Sequence, residues 1–183
     1  SFFVSDGYKN TRVAKFAGVD IVLGPEMRST GETMGIGKTF ETAYYKALLA
    51  AGIRIKPGAA FISLRDEDKD KAKRISAMLK DLGFSVYGTM GTVGSVEGGI
   101  AVPKIGMGSP DPVELINSGV VTLVINTPTK GGRANTDGFR IRRASILMNI
   151  PCITNINTAF ELLKAISETR KHELEIRAFD EYV

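Results

Sequence analysis

The segment Gly88-Thr89-Met90-Gly91-Thr92-Val93-Gly94 is the part of this chain best suited to chemistry. It follows an apolar run and opens a helical one, so its backbone N–H groups sit where a parallel sheet presents ligands. Two threonines three apart on such a turn can add two hydroxyls to a phosphate. Spacing alone leaves two readings open, a phosphate cradle and a glycine turn that merely packs. The glycine spacing is not that of the dinucleotide fingerprint. A second glycine-rich stretch, Gly35-Ile36-Gly37-Lys38-Thr39, ends like a Walker A loop. That loop needs Gly five positions before its final Gly, and Glu32 stands there, so the stretch reads as a glycine-rich helix start.

Other reactive side chains are sparse. His172 is the one histidine and lies in the charged run Arg170-Lys171-His172-Glu173, which reads as a solvated face. Cys152 is the one cysteine; Ile150, Pro151 and Ile153 around it suggest a buried, inert thiol. No Cys/His spacing or His-Glu helix motif points to a metal. Asp137 opens a helix, where the dipole favours a carboxylate, and capping is its expected work.

The elements that would position these residues alternate from residue 59 onward. Ala59–Leu64, Phe84–Tyr87, Ala101–Ile105, Val120–Ile125 and Cys152–Thr154 read as strands. Helices are expected over Asp68–Leu82, Thr92–Glu97, Pro112–Asn117, Thr136–Met148 and Thr158–Glu168. Val120–Ile125 is continuously apolar, as a central parallel strand covered on both faces requires. Five strands with interleaved helices imply an α/β, doubly wound parallel sheet. Before it, Thr39 reads as the N-cap of a helix carrying Phe40, Ala43, Tyr44, Ala47, Leu48 and Ala51, ended by Gly52. Residues 1–20 give no clear element. The expected division is 1–52 and 53–183.

Composition bounds the partners. A chain of 183 residues with 43% hydrophobic and 24% charged residues suits one globular domain with a tail. The net charge of +4 allows an anionic small ligand. The absence of a dense basic stripe with interleaved aromatics argues against nucleic acid. No apolar run approaches the ~18 residues of a membrane span. Residues 1–12 lack the features of a signal peptide. A lone cysteine suits a reducing, cytoplasmic setting.

Longer matches give a family resemblance. Gly24-Pro25-Glu26-Met27-Arg28-Ser29-Thr30-Gly31-Glu32, running on through Thr33-Met34-Gly35-Ile36-Gly37-Lys38-Thr39-Phe40, resembles the segment that closes the second ATP-grasp half of the carbamoyl-phosphate synthase large subunit. Residues 1–14 do not share the match. From Ser63 onward the chain resembles the methylglyoxal synthase-like, Rossmann-like allosteric domain of the same synthase, and Ile141-Arg142-Arg143-Ala144 matches it strongly. The resemblance implies a regulatory module that does no chemistry itself. Its effector would be phosphorylated, such as UMP or IMP. The phosphate pocket would use Ser63 and Lys69 after the first strand, Thr89 and Thr92 after the second, Lys104 in Val-Pro-Lys-Ile, and Asn126 in Val-Ile-Asn-Thr-Pro-Thr. Pro128 stands where nucleotide-regulated relatives carry a contacting Thr, and Thr129 substitutes for it. Of Arg142 and Arg143, about 100° apart on a helix, only one can face that pocket.

The resemblance further implies a parent ligase making carbamoyl phosphate for pyrimidine and arginine biosynthesis from bicarbonate, ammonia or glutamine and two ATP. ATP and Mg2+ or Mn2+ would belong to its catalytic domains, with no cofactor held by the present residues. Implied partners are those ATP-grasp domains, a glutaminase small subunit and further copies of the large subunit. An oligomerisation role for 158–170 is the alternative. A methylglyoxal synthase-like lyase is a weaker one: Thr136 occupies the position of that enzyme's His, and Asp111 falls about two residues from that of its base. Relatives regulated by N-acetylglutamate carry Trp near the Lys104 position, and this chain has no Trp.

Ornithine-activated members hold that amino acid partly through an Asp-Thr pair that here reads Ile153-Thr154. Losing a charge-assisted bond costs about 1.5–3 kcal/mol. Calorimetric titration of the isolated chain with ornithine is expected to give no binding heat. Saturable binding would show that a carboxylate at position 153 is dispensable.

Overall fold

A computed structural model describes residues 2–6, 33–129 and 136–171. Gly24–Glu32 and His172, both prominent in the sequence, lie outside them. The described residues group into two compact units.

In the smaller unit, β1 (Phe2–Asp6) pairs antiparallel with β2 (Thr33–Gly37), with Phe2 opposite Gly37 and Asp6 opposite Thr33. The glycines of the Walker-like stretch are thus strand residues, not a helix start. A Cβ on Gly35 would lie 1.9 Å from the Ala43 carbonyl oxygen and 2.5 Å from the Ala47 nitrogen. They are glycine because β2 runs against α1 (Phe40–Ala50) with no room between. Thr39 caps α1 as its sequence suggests, accepting from the Thr42 amide at 3.2 Å. Ala43, Ala47 and Leu48 form its buried face. Gly52, at φ +80°, follows it.

The larger unit holds the five-stranded sheet. Its strands are β3 (Ala59–Ser63), β4 (Ser85–Thr89), β5 (Ile100–Val102), β6 (Val121–Asn126) and β7 (Cys152–Ile153). All pairings are parallel, in the order β5-β4-β3-β6-β7. The helices are α2 (Ala72–Asp81), α3 (Met90–Val93), α4 (Pro112–Asn117) and α5 (Asp137–Leu147). A last helix, α6 (Ile156–Lys171), begins in this unit, and its residues from Phe160 group with the smaller one.

Side-chain alternation along the strands builds two apolar layers. Ala59, Phe61 and Val124 pack with Leu115 and Ile116 of α4 and Ile141 and Ala144 of α5. The alternate residues Ala60, Ile62, Leu123 and Ile125 are equally buried and point the other way, where Val93 of α3 lies beside Ile62 and Gly88. β6 is apolar from Leu123 to Ile125, as a sheet covered on both sides demands, and half-buried Thr122 near its start donates to the Lys56 carbonyl at 3.0 Å.

The helix expected over 68–82 is two elements. A 3-10 turn spans Asp66–Lys71, and α2 follows. Its ion pairs are compatible with the tighter winding. Arg65–Asp68, Asp66–Lys69 and Asp68–Lys71 are all three apart, and residues three apart eclipse in a 3-10 helix. A second difference lies at α5. Its N-cap is Thr136, whose hydroxyl accepts from the Phe139 amide at 3.3 Å, and Asp137 is the first residue inside the helix.

Gly88 marks where β4 passes closest to its neighbours. A Cβ there would meet the Ile62 carbonyl oxygen at 2.4 Å and the Val93 Cγ1 at 2.7 Å. Backbone cannot yield as a side chain can. Gly88→Ala is therefore expected to destabilise the larger unit by about 1–3 kcal/mol, the scale of overpacking, measured by chemical denaturation. An unchanged midpoint would show that the close approach is not fixed.

Candidate functional site

The parallel register brings the carboxyl ends of four neighbouring strands together. Ser63 ends β3 opposite Asn126, which ends β6. Thr89 ends β4 opposite Val102, which ends β5. Lys104 follows two residues later. At this edge a parallel sheet leaves its last backbone groups and the first turns of its helices to a ligand.

Backbone groups at the end of β3 form the centre of the site. The Leu64 amide donates to Thr92 Oγ1 at 3.0 Å, and the Arg65 amide to Thr127 Oγ1 at 2.9 Å. The Ser63 carbonyl accepts from the Thr127 amide at 3.1 Å and from Asn126 Nδ2 at 3.4 Å. Thr89 Oγ1 donates to Thr92 Oγ1 at 3.1 Å. Thr92 is only 2% exposed and accepts two hydrogen bonds, leaving its own hydroxyl hydrogen as the group it can offer. The two threonines noticed in the sequence therefore differ in work. Thr92 ties the loop to β3, and half-buried Thr89 spends its hydroxyl hydrogen on Thr92 and keeps only acceptor capacity, so its backbone N–H rather than its O–H is left to meet an anion.

Lys69 lies over the start of α3. Its Nζ is 3.2 Å from where a Cβ on Gly91 would stand, so Gly91 gives the ammonium its place beside the Thr89–Thr92 turn. Lys69 also pairs with exposed Asp66 at 2.5 Å. The Lys69 hydrogen bond and charge hold the Asp66 carboxyl below its ordinary range, with slight burial opposing them.

The 3-10 turn that carries Lys69 is pinned by Asp68, which is 2% exposed. Its carboxylate accepts from Arg65 Nε at 2.7 Å and Lys71 Nζ at 3.1 Å. Burial pushes its proton affinity up, but the Lys71 and Arg65 bonds and charges outweigh that, and the carboxyl sits below its ordinary value.

Asn126 is 3% exposed and bonded on both sides, through Nδ2 to Ser63 and through Oδ1 to Arg142 Nη1 at 2.7 Å. Arg142 is buried and Arg143 is exposed, so one arginine of the pair faces the site, as the helical angle demands. Ser63, Thr89, Thr92 and Asn126 are joined by the bonds above, Lys69 lies beside them at Gly91, and Lys104 and Thr129 are exposed at the edge. Sequence reading missed Thr127, Arg65 and Asp68. Their signal was position alone: each sits within two residues of a strand end or of a named site residue.

The enzyme-like positions are occupied structurally. Asp111 is the N-cap of α4, accepting from the Val113, Glu114 and Gly106 amides at 2.8, 3.0 and 3.3 Å in a reciprocal capping box. Burial opposes its ionisation, but the Glu114, Gly106 and Val113 amides and the Arg140 charge prevail and lower its pKa. That is the reverse of what a general base needs. Burial pushes the Cys152 thiol up to about 12, against the opposing Arg142 charge and Ser145 hydrogen bond, which makes it the inert group its neighbours suggest. Among the described residues no group of three His, Cys, Asp or Glu side chains could hold a metal ion. No helix among them is long and apolar enough to cross a membrane.

Known proteins bear on this arrangement. Residues 72–154 match the MGS-like domain family. The C-terminal section of the carbamoyl phosphate synthase large chain of Methanopyrus kandleri is 47% identical over 157 residues, covering 83% of this chain and 29% of that one. The corresponding section from Aquifex aeolicus is 43% identical over 162 residues, covering 86% and 30%. The large chain of Methanothermobacter thermautotrophicus is 42% identical over 173 residues, covering 92% and 16%. The chain thus spans under a third of the length of these relatives.

Because its pKa is lowered in the folded state, Asp68 contributes stability that is present above the unfolded carboxyl pKa, near ~4, and lost as pH falls through the folded value. Asp68→Asn is expected to cost about 1–2 kcal/mol at pH 7. That is the lower part of the range for hydrogen bonds to charged groups, because both cations are partly exposed. The difference should shrink below pH ~4. Urea denaturation at pH 7 and pH 3 measures both; a pH-independent difference would remove ionisation from the account.

Proposed function

As a chain that carries an MGS-like domain and is homologous to the C-terminal part of carbamoyl phosphate synthase large chains, this protein is, we propose, the effector-binding module of such a synthase. Its ligand is a phosphorylated small molecule, with UMP and IMP the leading choices. One observation carries the reading. The Lys69 ammonium sits beside the turn that holds Thr89 and Thr92, at the carboxyl end of a parallel sheet.

The chemistry suits phosphate. Its oxygens accept and carry charge, and this edge offers an ammonium, hydroxyls and backbone N–H groups. Asp66 shields Lys69 in the absence of ligand. Exposed and three residues away, it is a weak competitor for that ammonium. Lys104 adds a second cation from the β5 side, and Thr129 a hydroxyl from the β6 side. Ser63 and Asn126 close the floor.

Synthesis of carbamoyl phosphate, with its ATP and Mg2+ or Mn2+, belongs in this reading to ATP-grasp domains of the longer protein. The glutaminase small subunit would be met through them. The module acts on that synthesis only to the extent that its ligand binds active and inactive states with different affinity. Residues before 53 provide the covalent connection.

A thermal-shift series with UMP, IMP, inorganic phosphate and N-acetylglutamate tests the ligand class, since a ligand that binds only the native state raises the melting temperature. Stabilisation by UMP or IMP is expected. Stabilisation by N-acetylglutamate alone would overturn the assignment. Lys104→Ala should weaken nucleotide binding by about 1.5–3 kcal/mol and change folding stability by no more than ~0.5 kcal/mol. Unchanged affinity would return Lys104 to the solvated surface.

A further inference from the structure

We propose that Arg142 is a positioning residue that makes Asn126 a donor-only member of the site, and so selects ligands that present acceptors there. The inference rests on the effector-site reading above and adds to it a residue that need not touch the ligand.

A guanidinium has five N–H donors and no acceptor, whereas an asparagine amide has an acceptor end and a donor end. Arg142 Nη1 stands 2.7 Å from the Asn126 side chain, and both residues are 3% exposed. Only the amide oxygen can face that guanidinium. The flipped amide would set two donors against each other in a site that water scarcely reaches, the costly arrangement for buried polar groups. The Ser63 carbonyl enforces the same orientation from the other side, since it accepts from Nδ2 at 3.4 Å. Two independent partners thus fix one rotamer. What Asn126 has left for a ligand is its second Nδ2 hydrogen.

The backbone around the pair is shaped for this contact. A Cβ on Gly138 would lie 3.1 Å from Arg142 Nη1 and 3.4 Å from Asn126 Oδ1. A larger residue at 138, in the first turn of α5, would press on the bond itself. Arg142 is one turn further along the same helix, so α5 delivers both the guanidinium and the space it needs.

Asn126→Asp is the discriminating substitution. It keeps a partner for Arg142, now an ion pair, while it turns an acceptor toward the Ser63 carbonyl, which retains the Thr127 amide. It replaces the outward donor with an acceptor carrying charge. Affinity for UMP is expected to fall about tenfold or more, the loss of one hydrogen bond to a charged group compounded by repulsion. The ligand-free melting temperature is measured alongside, and the variant should still unfold cooperatively, so that the lost affinity is read on folded protein. Arg142→Lys keeps one donor and should retain more affinity than Arg142→Met. The lock also has a ligand-free readout: the Asn126 side-chain amide protons should be protected from exchange with solvent in the wild type. In Arg142→Lys they should shift while the other side-chain amides stay put. Failure of UMP, IMP and phosphate to bind the wild type, with these NMR signatures intact, would sink the effector reading and leave the lock standing. Tight UMP binding by Asn126→Asp, or side-chain amide signals indifferent to Arg142→Lys, would overturn the lock itself.

Discussion

Everything at the candidate site depends on how the end of β3 is tied to its neighbours. Ser63, Leu64 and Arg65 leave the sheet one after another, and backbone groups of all three are claimed at once. Thr92 takes the Leu64 amide and Thr127 takes the Arg65 amide, while the Ser63 carbonyl receives the Thr127 amide and Asn126. Three loops from three strands are thereby held in one geometry. A buried backbone N–H without a partner would cost about 1–3 kcal/mol, so each threonine secures a loop that the sheet ladder no longer reaches. The floor is rigid because these bonds are buried and mutually supporting.

Charge is layered on that floor. Asp68 is buried and neutralised twice, and its function is to hold the turn rather than to meet a ligand. Lys69 and Lys104, by contrast, are exposed enough to reorganise. This division suits an effector site. In the proposed site the bonded part would fix which atoms are recognised, and the exposed cations would supply attraction without the desolvation cost that fully buried charges carry. The carboxyl best placed to serve as a base, Asp111, is held by three backbone amides, and the thiol of Cys152 is held protonated by burial.

Much of this was legible in the sequence because it is written in local pattern. Pro112–Asn117 is a helix with the bounds its proline and apolar spacing suggest, and the largely apolar run at 121–125 is the doubly covered strand. The positions Ser63, Thr89, Thr92 and Asn126 could be marked because they end strands. What stayed hidden is relational. Nothing local says that Thr92 spends its acceptor capacity on Leu64, 28 residues away, or that Thr127 serves Arg65 across 62 residues. The ionic spacing at 65–71 looks helical in sequence, since pairs three apart meet on an α-helix and on a 3-10 turn alike. Gly35 and Gly37 read as part of a helix start because a glycine kept for close packing looks in sequence like one kept for a turn.

The central claim is that a phosphorylated ligand sits over the joined ends of β3, β4, β5 and β6. A backbone-amide NMR titration with UMP tests it most directly. The account predicts shifts concentrated at residues 63–65, 89–92, 104–106 and 126–129, saturating together with one dissociation constant. Shifts confined to the opposite ends of the strands, at Gly58, Gly83, Gly119 and Asn149, would contradict it, as would a spectrum that UMP leaves unchanged.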